Sequence, residues 1–150
     1  MTEQVERGVY QHPERARQLI LFEGLLDKER YGKITPTDID MMLEHHGKVW
    51  VMCEVKIAGK DVPQGQRILF QHFMELVKEA NRDGIAFIAE HDVKDVNTDV
   101  YLNNCYVREL MTSDNQTWRP PKRKISVKDI TDLFMKCYDV PNMTTWNYGG

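Results

Sequence analysis

ITPTDIDMMLEHHGKVWVMCEVKI, residues 34 to 57, decides the fold. Ile39, Met41 and Leu43 alternate with Asp38 and Asp40, and the polar segment Glu44-His45-His46-Gly47-Lys48 then turns the chain, which is the pattern of a β-hairpin. Val49 to Ile57 is the second strand. Side chains alternate faces along a strand, so Val49, Val51, Cys53, Val55 and Ile57 share an apolar side while Trp50, Met52, Glu54 and Lys56 share the other. An unpaired charge in the middle of such a strand is costly to bury, so an acid and a lysine there call for partners.

Hairpin spacing supplies a partner. A turn centred near His46-Gly47 sets Asp40 roughly opposite the Met52 to Glu54 region, so the Asp40 and Glu54 carboxylates can share one divalent cation. Lys56 falls on the same face as Glu54, about 7 Å further along. Two carboxylates, completed by water and a substrate phosphate, form the oxygen set preferred by Mg²⁺ or Mn²⁺. Asp38 is a rival for the first acid; Asp40 is favoured, with Asp38 as a helper.

Asp40, thirteen intervening residues and then Glu54-Val55-Lys56 resembles the signature of the PD-(D/E)XK nuclease superfamily. The resemblance implies an α/β fold with a restriction-endonuclease-like core (helix, three-stranded meander, helix, strand) over about residues 13–93. A C-terminal strand and helix over about 94–150 would complete a single domain spanning 1–150. It further implies hydrolysis of DNA phosphodiester bonds. Asp40, Glu54 and the Val55 backbone carbonyl would hold Mg²⁺ or Mn²⁺, Lys56 would stabilise or activate the attacking water, and Gln66 would position that water or the phosphate. Junction-resolving and restriction members that cut both strands dimerise, so a homodimer is expected on the same ground.

Composition sets the frame. One hundred and fifty residues are enough for a single domain with a core, and 41% hydrophobic with 29% charged residues describes a globular chain rather than a disordered one. A net charge of −3 argues against a tight non-specific nucleic-acid binder, so any such binding rests on local patches. Cys53, Cys105 and Cys137 are far apart and odd in number, which points to a reducing compartment without a disulfide framework. The first residues lack a signal-like apolar core and no run approaches 18 apolar residues, so the expected location is the cytoplasm.

Outside the hairpin, Pro13 suits a first helical position, and Ala16, Leu19, Ile20, Phe22, Leu25 and Leu26 recur with helical spacing to about Glu29. Glu23 sits on the edge of that stripe. It is either a boundary residue with its head in water or, as the first helix of several families in the superfamily provides, a third acid near the metal. A second helix is expected from about Gln64 to Asn81, with Leu69, Phe73, Leu76, Val77 and Ala80 as its stripe. Gln66, in register with Leu69, Phe70 and Phe73, faces the sheet, where it satisfies a loop carbonyl or lines a site. Gln64 and Arg67 are donors for a phosphate at the helix's positive end.

Ile85 to Ala89 reads as a strand covered on both faces, and Glu90-His91-Asp92 as a solvated cluster with His91 as a site neighbour. Val100 to Met111 adds an edge strand. Trp118-Arg119-Pro120-Pro121-Lys122-Arg123-Lys124 is the dense basic patch, and Arg119, Lys122, Arg123 and Lys124 are the expected phosphate contacts, unless the segment is merely a solvated loop. Ser126 caps a last helix to about Tyr138, with Val127, Ile130, Leu133, Phe134 and Cys137 as its apolar face.

Other chemistries find no support. His45 and His46 are adjacent, so their side chains point apart, and no zinc spacing, P-loop, G-x-G-x-x-G or G-x-S-x-G occurs. Two further readings stand beside the nuclease: a non-catalytic nucleic-acid-binding or assembly subunit with a nuclease-like fold, and a generic α/β domain in which Glu54 and Lys56 form an exposed pair.

Overall fold

The computed structural model of the chain describes residues 19, 21–32, 34 and 36–138, and in it the 34–57 stretch ends in a hairpin. Its strands are β1, Met41–His45, and β2, Val49–Ile57, antiparallel with Met41 opposite Cys53 and His45 opposite Val49. Glu44 and His45 therefore belong to the strand rather than the turn. His46 and Gly47 adopt φ of 52° and 66°, the left-handed pair that a type I′ turn requires, and the Lys48 N–H donates to the His45 carbonyl at 2.9 Å. The Glu44 carboxylate accepts from the Gly47 N–H at 2.9 Å and the Trp50 indole donates to the Gly47 carbonyl at 3.1 Å, so the turn is tied to both strands.

The chain parts into two compact units, Met1–Thr37 and Asp38–Gly150. In the first, α1 is the short helix Lys28–Tyr31; Asp27 caps it by accepting from the Glu29 N–H at 2.9 Å, and Gly32 closes it at φ 62°. This corrects the expected helix to about Glu29. Gly24 turns the chain at φ 78° just before the Asp27 cap, and Leu19, Leu21 and Leu25 are exposed rather than aligned on a buried stripe. Residues 13–18 and 20 of that expected helix lie outside the described residues, as does the tail from 139 onward.

The second unit is an α/β fold with a four-stranded mixed sheet in the order β1-β2-β3-β4. After β2 the helix α2, Gln64–Glu79, crosses over, and β3, Asp83–His91, returns parallel to β2. A further strand, β4, Tyr106–Thr112, pairs antiparallel with β3 and forms the expected edge, with a register shift between Ile88 and Ala89. The last helix, α3, Val127–Cys137, starts at Ser126, whose hydroxyl accepts from the Asp129 N–H at 3.1 Å. Two strands, not the three of the expected meander, precede α2 among the described residues. Among the same residues no helix is long and apolar enough to cross a membrane.

Both sheet faces are covered, as the apolar run in β3 requires. Val49, Val51, Cys53, Ile85 and Phe87 pack with Ile130 and Phe134 of α3 on one side. Met52, Ala86 and Met111 pack with Phe70, Met74 and Val77 of α2 on the other. The alternation expected for β2 therefore holds. The α2 stripe is rotated from the expected one: Phe70, Met74 and Val77 are buried at i, i+4 and i+7, whereas Leu69 and Leu76 are exposed. Leu133 and Cys137 of α3 likewise face outward. Gly84 permits the close approach of α2 to β3, since a Cβ there would lie 3.1 Å from the Met74 and Val77 side chains.

Candidate active site

Glu54 is the one buried acidic side chain among the described residues, 4% exposed on the α2 face of a central strand. That burial removes the reading in which it forms an exposed pair with Lys56. Its Oε1 is held twice, by the Lys56 ammonium at 3.1 Å and by the Gln66 carboxamide Nε2, which donates at 3.2 Å. Lys56 reaches it because residues i and i+2 of a strand share a face. Gln66 reaches it because it lies one helical turn before Phe70 on the buried stripe of α2.

Asp40 approaches from the hairpin's other arm. The register that sets Met41 opposite Cys53 brings Asp40 level with Glu54, one residue before β1 begins, and its Oδ2 accepts from the Val55 N–H at 2.7 Å. The N–H and C=O of one residue in a strand point to the same edge, so the Val55 carbonyl also leaves β2 on Asp40's side. Asp38, two residues earlier, is exposed. Glu23 is an exposed turn residue of the first unit.

Burial first, and the nearby Asp40 charge second, push the Glu54 carboxyl above its ordinary range, while Lys56 and Gln66 pull it back. Its other oxygen, Oε2, is buried with no hydrogen-bond partner among the described residues, and so is the Gln66 Oε1. Two acceptors on bonded neighbours thus lack a donor, an unfavourable state that a cation or donor at that point would relieve. The donor set is oxygen only, two carboxylates with a carboxamide and a backbone carbonyl, which fits a hard divalent cation such as Mg²⁺ or Mn²⁺. Among the described residues no three His, Cys, Asp or Glu side chains are grouped as metal ligands, so such a cation would draw its remaining ligands from backbone, water and substrate. Burial raises the thiols of Cys53 and Cys105, which leaves them as packing groups rather than nucleophiles.

The expected phosphate contacts are dispersed. Arg67 is paired with Glu109 at 2.6 Å and lies 5.5 Å over the Trp118 ring. Arg119 bonds the carbonyls of Asn115 and Thr117, both at 3.1 Å, and so closes its own loop. Lys122 and Arg123 are exposed, and the Lys124 ammonium sits 4.1 Å over the Tyr106 ring.

Three charged residues that sequence reading did not single out join the α2 face. Glu90, taken as part of a solvated cluster, is the strand partner of Lys56 and binds Arg108 at 2.9 Å. Arg108 also donates to the Lys60 carbonyl at 2.6 Å, bracing the loop between β2 and α2. Glu109 holds Arg67. The signal was the Arg108-Glu109 pair inside an otherwise strand-like run, but the register shift that turns both residues to use is invisible in the sequence.

No family model, curated protein or solved structure matches the chain.

Proposed function

We propose that the chain is a Mg²⁺- or Mn²⁺-dependent deoxyribonuclease built on a restriction-endonuclease-like core of the PD-(D/E)XK type. The observation that carries this reading is the Glu54 carboxylate, buried beside Asp40, with one oxygen clamped by Lys56 and Gln66 and the other left without a donor. Asp40, Glu54 and the Val55 carbonyl would hold the metal. When bound, the metal supplies Lewis-acid polarisation of a phosphoryl oxygen.

The chain's own groups do the rest. Lys56 places a positive charge beside Glu54, where it offsets the negative charge that develops on the phosphoryl oxygens during attack. Gln66 fixes the rotamer of Glu54 and offers a free carboxamide oxygen to orient a water. Overall, water adds across a P–O bond: its oxygen bonds to phosphorus and a proton passes to the departing sugar oxygen. Lys122 and Arg123, exposed on the basic segment, would contact flanking phosphates. Cutting both strands of a duplex would call on two copies of the chain.

The test is cleavage of supercoiled plasmid, linear duplex and branched DNA with Mg²⁺, Mn²⁺ or EDTA, run beside Glu54→Ala. Metal-dependent cutting that disappears in the variant is expected. A failure to cut any of these DNAs, together with no Mg²⁺ heat in calorimetry, would remove the proposal.

A further inference from the structure

A cavity of about 310 Å³ lies outside the carboxyl ends of the parallel strands β2 and β3. In open α/β sheets that crevice is where ligands bind, and the volume is at the lower end of the roughly 300–1,000 Å³ of small-molecule sites. Ala58, just past β2, and Glu90 to Val93, at the end of β3, form one wall. Tyr101, Asn104, Lys124 and Asp99 also line the cavity, as does Tyr106, the strand partner of Glu90. Glu90 belongs both to this wall and to the row that carries Lys56, its partner on the neighbouring strand. Lys56, which binds Glu54, is therefore the strand neighbour of a residue that lines the cavity.

Its chemistry selects against an anion. Glu90 lines it but is paired with Arg108 at 2.9 Å, which leaves Asp92 and Asp99 against Lys124, the one lysine or arginine among the described lining residues. A phosphate inside would meet a surplus of negative charge. A flat, neutral ring with hydrogen-bonding edges is suited to it. Tyr101 leaves 69% of its surface exposed, so its ring is available for stacking, whereas the Lys124 ammonium covers a face of the Tyr106 ring at 4.1 Å. The Val93 N–H donates to His91 Nδ1 at 3.0 Å, so in the neutral imidazole Nε2 carries the proton and is a donor. Asn104 offers both a donor and an acceptor, and carboxylates accept from the exocyclic amino groups of cytosine or adenine. Lys122 and Arg123 lie next in sequence to Lys124 at the wall, where phosphates on either side of a bound base would run.

We propose that this cavity takes an unpaired nucleobase of the DNA, so that the preferred substrate is looped, branched or single-stranded rather than fully paired. The proposal rests on the nuclease reading. It gives that reading a substrate class: a strand whose phosphate enters at Glu54 while a nearby base is held out of the stack.

The test uses 2-aminopurine at one unpaired position of a looped DNA, and the same DNA fully paired, with binding followed by fluorescence and anisotropy in EDTA so that nothing is cut. Wild-type protein should bind the looped DNA more tightly and change the 2-aminopurine emission on binding. Tyr101→Leu, at an exposed position, should weaken that binding by about 5- to 150-fold, the range of losing one base–aromatic stack, and leave the paired DNA within about twofold. Tyr101→Phe should restore it. Equal affinity of wild type for both DNAs, or a Tyr101→Leu loss that is absent or the same on both, overturns the proposal. Saturable binding of 2-aminopurine riboside 5′-monophosphate at the affinity of the looped DNA also overturns it, because the occupant is then a free nucleotide. Plasmid cutting that depends on Glu54 is read separately, so the pocket can fall while the nuclease stands.

Discussion

The Val55 N–H donates to Asp40 Oδ2 at 2.7 Å, and this bond ties the first acid of the site to the strand that carries the second. β1 begins only at Met41, so without Asp40 the Val55 N–H would lose its partner just where the hairpin opens. Asp40 thus closes the ladder with one oxygen, and the proposed metal would take the other.

Asp40→Asn should separate these two roles. The amide oxygen can still accept from Val55, so the melting temperature should stay close to wild type, while loss of the negative charge should lower cleavage by about 10²-fold or more. Asp40→Ala should lose activity and, in addition, about 1 kcal/mol of stability from the missing hydrogen bond. Thermal melts beside cleavage rates check this. An Asn variant that cuts normally would show that Asp40's charge is not used.

Stability should carry the signature of Glu54. Its carboxyl is raised in the folded protein, by burial and then by Asp40, so the folded state holds that proton to higher pH than the unfolded chain does. Its contribution is fully present below the ordinary glutamate value of 4.5 and is lost as pH rises from there through the folded-state value. Glu54→Gln cannot titrate, so wild type should fall relative to the variant as pH rises across that window. Mg²⁺ should reverse the trend in wild type alone, adding about 2.7 kcal/mol at a hundred times its dissociation constant. Parallel melts from pH 4 upward, with and without Mg²⁺, would show a constant gap if Glu54 does not titrate differently in the folded state.

Lys56→Ala should cost rate rather than binding. Among the described residues the ammonium is one of two groups holding Glu54 Oε1, and its removal would withdraw charge from the reacting phosphate and let the Glu54 carboxyl rise further. A loss of about 10²-fold or more in cleavage is expected, with DNA affinity in EDTA unchanged. Weaker binding as the sole effect would make Lys56 a phosphate contact and nothing more.

The hairpin, its register and the Asp40, Glu54, Lys56 and Gln66 set were legible in the sequence because each depends on short spacing. Strand parity puts Lys56 beside Glu54, and one helical turn puts Gln66 on the Phe70 face. Helix faces were less legible. In α2 and α3, Leu69, Leu76 and Leu133 are as apolar as the residues that are buried, and only the sheet they pack on leaves these three outside while Phe70 and Met74 go in. The Arg108 contacts were out of reach for another reason: they span 18 and 48 residues and depend on a register shift in β4. Gly24 shows the same limit at short range, since apolar spacing cannot reveal that one glycine inside the expected helix takes up φ 78° in a turn.

Arg67 offers the sharpest contrast between what spacing suggests and what packing does. At the start of α2 it is placed for a phosphate, yet its guanidinium is paired with Glu109 at 2.6 Å and lies over Trp118, a ring that packs on Phe70. Both partners remain partly exposed, so the pair and the ring contact together should be worth only about 1 kcal/mol. Arg67→Ala should lower the urea midpoint accordingly, and the Arg67→Ala, Glu109→Ala cycle should show a coupling of about 0.5 kcal/mol or more. DNA affinity should respond differently. Replacing Lys122 or Arg123 should reduce the slope of log affinity against log salt by about 1 each, and replacing Arg67 should leave that slope alone. A slope that falls with Arg67 as it does with Lys122 would mean that DNA draws the guanidinium away from Glu109, and the basic surface would then extend onto α2.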